Sequence, residues 1–135
     1  MKSLSFSAVA LSALACGTVL AMTGDSVAQP FRGSWVPAKA TCESPLRLVI
    51  DANLVTFVNG TQRAEFRKLE QCFSCMGRDV SDMTLLSTDA MGDSPFMITL
   101  DGRKKSKPAV SADLSNDKKM AARFPLGNVT LKKCP

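Results

Sequence analysis

The sequence contains no histidine, and that absence removes much chemistry. Without an imidazole there is no Ser-His-Asp or Cys-His activation of a nucleophile. There is also no histidine-bound metal, and no axial histidine for an attached c-type haem, although Cys72-Phe73-Ser74-Cys75 has the cysteine spacing of one. Aromatic residues are scarce at 6%, with a single tryptophan, and none is interleaved with the basic clusters. A stacking platform for nucleic acid is therefore missing, and no nucleic-acid partner is expected. The chain also lacks internal repeats, a linker, and the alternation of strands and helices that a parallel α/β domain requires.

At the start of the chain, Lys2 precedes a run of small and apolar residues over positions 4–22, and the stretch ends in Ser26-Val27-Ala28. A positive charge, an apolar core and small residues in an A-x-A-like arrangement identify a secretory signal peptide. This reading places cleavage after Ala28, so that residues 1–28 are leader and residues 29–135 form a single secreted domain, periplasmic or extracellular, in a bacterial host. Two other readings bear on the same stretch. An uncleaved anchor needs about 20 predominantly apolar residues, and this run is diluted by Ser7, Ser12, Gly17, Thr18 and Thr23, so no stable membrane span is expected. Cys16 follows Ala13-Leu14-Ala15 in the manner of a lipoprotein site, with Ala13 where such sites usually carry leucine.

A secreted domain of 107 residues buries a modest core; by surface scaling, roughly two-thirds of its unfolded surface is hidden. Cysteines supply the reinforcement. Of five, Cys16 belongs to the leader, leaving Cys42, Cys72, Cys75 and Cys134 as an even set in an oxidising compartment. Two disulfides are expected. On a strand, residues three apart face opposite sides, which separates Cys72 from Cys75 and favours Cys42 with Cys72 and Cys75 with Cys134. The two long loops would then contribute roughly 3 to 4 kcal/mol each. The leader takes only Lys2 and Asp25 with it, so the net charge stays at +5. Much of the positive charge lies in Arg103-Lys104-Lys105-Ser106-Lys107, Lys118-Lys119 and Lys132-Lys133. Such runs are ordinarily solvated loop charge, but they can also form a face that attracts acidic partners.

Short alternating segments punctuated by turn residues predict an all-β fold, a small antiparallel β-barrel or sandwich of about eight strands stapled by two disulfides. In the segment 46–50, Leu46, Leu48 and Ile50 share one face before Asp51-Ala52-Asn53 turns the chain into residues 54–58. Asn59-Gly60 is a strong hairpin signal. Phe96, Ile98 and Leu100 alternate with Met97 and Thr99 before a second such turn at Asp101-Gly102. Met120, Ala122 and Phe124 alternate near the end, ahead of residues 129–134. Residues 61–76 admit two readings. Phe66, Leu69, Phe73 and Met76 recur at helical spacing, with Gly77 where a C-terminal cap would stand. The alternative is a strand pairing back across Asn59-Gly60, which the hairpin signal and the disulfide scheme both favour.

Gly33-Ser34-Trp35 near the start of the secreted domain, followed by Cys42 and the alternating strand 46–50, resembles the opening of small exported lipocalin-like barrels. The nearest likeness is to the bacterial metalloprotease-inhibitor family, from which this chain departs by two extra cysteines and the lack of a second tryptophan. The resemblance implies an eight-stranded barrel in which the indole of Trp35 plugs one end and Gly33 lets it pack closely. It also implies a binding or inhibitory role.

Catalytic chemistry is otherwise thin. A thioredoxin-like role for Cys72 and Cys75 would call for a helix N-terminus within a βαβ unit to lower a thiol pKa, and no such pattern surrounds them. One C-x-x-C with two distant cysteines is half a zinc signature. The methionines at 76, 83, 91, 97 and 120 are too irregular for a copper site, and Asp89-Ala90-Met91-Gly92-Asp93 lacks the regular oxygens of a calcium loop and reads as a turn. Asn59-Gly60-Thr61 and Asn128-Val129-Thr130 are glycosylation sequons only in a eukaryotic host. No catalytic residue, metal ligand or cofactor is assigned. The expectation is a non-catalytic binding protein for an envelope or secreted protein or a small ligand, with Trp35, Arg103, Lys104, Lys105 and Lys107 as candidate binding residues. The alternatives are a hydrolase inhibitor, acting through an arm at Gln29-Pro30-Phe31 or the loop 101–108, and a thiol-disulfide redox protein. A ligand-carrying barrel needs an open interior, whereas a short inhibitor barrel is filled by its own side chains.

Overall fold

A computed structural model describes residues 26–77, 82–88 and 93–135. Residues 1–25, most of the expected leader, and residues 89–92 of the expected 89–93 turn lie outside the described residues. Among those described, nine strands form two antiparallel sheets, β1 (Gly33–Pro37), β2 (Leu46–Ile50), β3 (Val55–Asn59), β4 (Gln62–Phe66), β5 (Leu69–Cys72), β6 (Met83–Thr88), β7 (Met97–Asp101), β8 (Ala109–Asp113) and β9 (Leu131–Lys133). The order is β4-β3-β2-β1-β9 in one sheet and β5-β6-β7-β8 in the other. The first eight strands thus run as a meander broken once, between β4 and β5, and β9 returns to pair with β1. None of the described helices is long and apolar enough to cross a membrane.

Alternation works as expected in β2 and β7, where Leu48 and Ile50, and Ile98 and Leu100, are buried while their neighbours are half-exposed. Between the sheets, Phe57 packs 5.2 Å from Phe96 and 5.9 Å from Phe124, and Phe66 stands edge-on to Phe96 at 4.9 Å. Trp35, Leu48, Ile50, Leu86, Leu114 and Leu126 complete a single core. Burial of each such large side chain is worth about 1.5 to 3 kcal/mol.

Residues 61–76 follow the strand reading as far as Cys72. β3 and β4 pair from Asn59 with Gln62 to Val55 with Phe66, and the two-residue loop is Gly60-Thr61, with Gly60 at φ +60°. Three other expectations are corrected. Asp101-Gly102 does not close a tight hairpin; β7 and β8 pair Asp101 with Ala109, leaving residues 102–108 as a long loop. Met120, Ala122 and Phe124 do not form a strand, because Met120 lies within a short helix, α1 (Lys118–Arg123), and Phe124 is its C-cap. The Asp117 side chain caps it, accepting from the backbone N–H of Lys119 at 2.9 Å and of Met120 at 3.0 Å, and the one-turn spacing of Met120 and Phe124 puts both in the core.

The disulfide pairing is the third correction. Cys42 bonds Cys134 and Cys72 bonds Cys75, with Cα separations of 5.7 and 5.5 Å. Opposite faces separate residues three apart only while both stay on a strand, and β5 ends at Cys72. Beyond it the chain bends, with the Gly77 N–H donating to the Ser74 carbonyl at 3.2 Å and Gly77 at φ +106°, so that Cys75 folds back onto Cys72.

The packed domain also reaches further upstream than residue 29. Val27 is fully buried in the core. Its N–H donates to the Ala52 carbonyl at 2.8 Å, and its own carbonyl accepts from Arg32 Nε at 2.7 Å.

Candidate functional site

Where the two sheets come together at β8 and β9, ladder pairing stops. Near that seam an isolated parallel bridge joins Ala112 of β8 to Gly127, ahead of β9, and the Asn128 N–H donates to the Ala112 carbonyl at 3.2 Å. Towards the start of β8 the seam opens into a groove of about 830 Å³. One wall is Asp101, the loop residues Arg103, Lys104, Ser106, Lys107 and Pro108, and Ala109; the other is Thr130 to Lys133 at β9, with Trp35 at the floor.

Each wall is held by local chemistry. Asp101 accepts from the Arg103 backbone N–H at 3.1 Å and from its guanidinium at 3.0 and 2.7 Å, turning the chain sharply out of β7. This hydrogen bonding keeps the Asp101 carboxyl below the usual aspartate range and raises the Arg103 guanidinium above its own. A second turn is closed by the Lys107 N–H on the Lys104 carbonyl at 2.9 Å. Gly102 sits against Phe31 and donates to the Asp82 carbonyl at 2.8 Å. The carbonyl of that same Phe31 accepts the Trp35 indole N–H at 2.8 Å. One buried phenylalanine therefore anchors both the loop root and the groove floor.

The β9 wall is tied to β1. The Cys134 N–H donates to the Ser34 carbonyl at 2.8 Å, and the Cys42–Cys134 disulfide holds the strand end. Gly33, at φ +128°, explains its place two residues before the tryptophan. That backbone conformation is strained for any residue with a side chain, and a Cβ there would also crowd Cε of Lys133 at 3.0 Å, where the Lys133 chain crosses β1 to donate to the Pro30 carbonyl at 2.9 Å.

Five cations, Arg103, Lys104, Lys107, Lys132 and Lys133, thus line a groove with a single lining acid, Asp101, and with apolar surface from Pro108 and Ala109 over the buried Trp35 and Leu131. Of these five, only Arg103 takes part in an ion pair among the described residues, with Asp101 at 2.7 Å. Just outside, Glu43 is held below the ordinary glutamate range by the Thr41 side chain first, with Arg47 and Lys132 contributing. Low-dielectric walls and a shared sign of charge focus the field on an entering anion.

Four of the five candidate binding residues meet here. Trp35 serves as floor, with its indole N–H already occupied, and Lys105 is not part of the lining. Lys132 and Lys133 were visible as a charged pair, but their place beside the 103–107 run depends on β9 pairing with β1, which no local pattern announces. The four cysteines do not converge: Cys42 and Cys134 lie beside the groove wall, whereas Cys72 ends β5 and Cys75 lies in the bend that follows it, at the far edge of the second sheet.

No family model, no curated protein and no solved structure matches this chain.

Proposed function

We propose that this protein is an exported, non-catalytic binding protein of the bacterial envelope, and that its seam groove takes a small anionic ligand with an apolar portion. The observation that carries this reading is the charge of the groove, five cations against one acid above a tryptophan floor. Its volume falls within the roughly 300 to 1,000 Å³ common to small-molecule sites. The signal-like leader and the two disulfides support export, and the Gly33-x-Trp35 resemblance to lipocalin-like proteins supports a binding role at the level of fold alone. The ligand differs from that of a hollow barrel in its position. The interior is filled by Phe57, Phe96, Phe124 and their neighbours, so the ligand lies at the seam.

That filled interior also favours a second reading, an inhibitor of a secreted or host hydrolase. Its arm Gln29–Phe31 is a short 3-10 turn with Phe31 buried and the Pro30 carbonyl held by Lys133. The loop 101–108 is then the inhibitory element. A titration separates the two readings, because Trp35 is the single tryptophan and reports on the groove floor. Decanoate should change its fluorescence saturably and decanol should not, and Lys104→Ala with Lys107→Ala should weaken the decanoate response. Equal responses to both probes, or none, would remove the anionic-ligand reading and leave the inhibitor.

A further inference from the structure

We infer that Cys72 and Cys75 form an exchangeable dithiol–disulfide centre that a dithiol protein can reduce and a disulfide protein can reoxidise, while Cys42–Cys134 stays closed. The inference is independent of the groove, which lies on β8 at the opposite edge of the same sheet from β5. Three observations carry it. Cys75 is exposed and Cys72 only half-buried, at the end of an edge strand whose ladder stops where Cys72 pairs with Leu85. The bond closes a turn with a sequence separation of only 3, so opening it frees no distant part of the fold. Phe73, between the two cysteines, is 58% exposed, and Met76 beside them is 38% exposed; these two are the large exposed hydrophobics among the described residues. Two apolar side chains flanking an accessible disulfide form a contact surface for a protein partner, which a bond serving only as a staple does not need.

A thiolate of the partner attacks Sγ of Cys75, the more exposed of the two residues, forming a mixed disulfide and expelling Cys72 as a thiolate that takes a proton from solvent. The partner's second thiolate then attacks its own sulfur in the mixed disulfide, forming the partner's disulfide and releasing Cys75, which is protonated in turn. Two electrons and two protons pass from the partner dithiol to Cys72 and Cys75, and an oxidising partner reverses both steps.

The test treats the folded protein with reduced thioredoxin, a dithiol protein, and separately with reduced glutathione, followed by alkylation and peptide mapping. Expected is alkylation of Cys72 and Cys75 with Cys42–Cys134 intact and circular dichroism unchanged. Thioredoxin should act severalfold faster than glutathione at equal thiol concentration, and Phe73→Ser should slow thioredoxin without slowing glutathione. Opening of both disulfides together, or of neither before unfolding, would overturn the exchangeable centre. Equal slowing of both reductants by Phe73→Ser, or of neither, would overturn the partner contact. As a control on folding, Cys72→Ser should retain the native circular dichroism and accumulate a mixed disulfide on Cys75 with oxidised glutathione; a folded variant that accumulates none would overturn Cys75 as the attacked sulfur.

Discussion

The β9 edge and the β5 edge each carry a disulfide, but the bonds act on very different lengths of chain. Cys42–Cys134 spans a sequence separation of 92 and Cys72–Cys75 one of 3. In the chain-entropy model the first restricts the unfolded chain by roughly 4.6 kcal/mol and the second by roughly 2. The burial around them differs in the same direction. Cys134 is buried, its N–H is bonded to β1, and Trp35 lies one strand away at 1% exposure. The residues after Cys72 are exposed as far as Gly77. A rigid edge suits a binding groove, because a preorganised wall spends little binding energy on ordering itself. A solvent-facing turn whose bond secures only itself suits exchange.

Breaking the rigid edge should have the largest effect. Trp35→Ala should cost about 3 to 5 kcal/mol through loss of buried area and the cavity left behind, read as a lower denaturant midpoint. An unchanged midpoint would mean that the floor of the groove is not part of the core. Next in size, replacing Cys42 and Cys134 together by serine should cost about 4 kcal/mol, against about 2 or less for Cys72 and Cys75. Equal losses in paired denaturation curves would erase the contrast between the edges.

The two edges were also unequally legible in the sequence. Alternation exposed β2 and β7, and the Asn59-Gly60 signal located the β3–β4 hairpin to within one residue. The cysteine pairing was not legible, because it turns on whether β5 extends beyond Cys72, and helical and strand periodicities overlap there. Six residues are too few for periodicity to reveal α1, although Asp117 was a cap signal in plain view. The basic run 103–107 was visible, yet its partnership with Lys132 and Lys133 is created by long-range pairing of β9 with β1. At the N-terminus, Ser26-Val27-Ala28 has the form of a cleavage site while Val27 fills the core.

That last tension makes a sharper and smaller prediction. A chain beginning at Gln29 should be about 1.5 to 3 kcal/mol less stable than one beginning at Ser26, the worth of a buried valine side chain, and under the proposed export the secreted form should retain Ser26 by intact mass. A secreted form that starts at Gln29 with undiminished stability would show that Val27 is dispensable to the rigid edge. The smallest expected effect is the pH response of the groove wall. The Asp101 carboxyl is held low by the Arg103 hydrogen bonds, so the stabilisation from that exposed pair is present above the ordinary aspartate pKa. It fades as pH falls through the depressed folded value, and salt screens it. Asp101→Asn should therefore flatten a slight loss of thermal stability at acidic pH; an unaltered acid slope would place the effect in other carboxylates.

The proposed ligand site is the cationic seam and not the exposed β5 edge. Titration of the isotope-labelled protein with decanoate, followed by backbone amide chemical shifts, tests it most directly. Shifts concentrated in residues 101–109 and 130–133, saturable and diminished by added salt, are predicted. Shifts concentrated in residues 69–77, or spread evenly over both sheets, would contradict it.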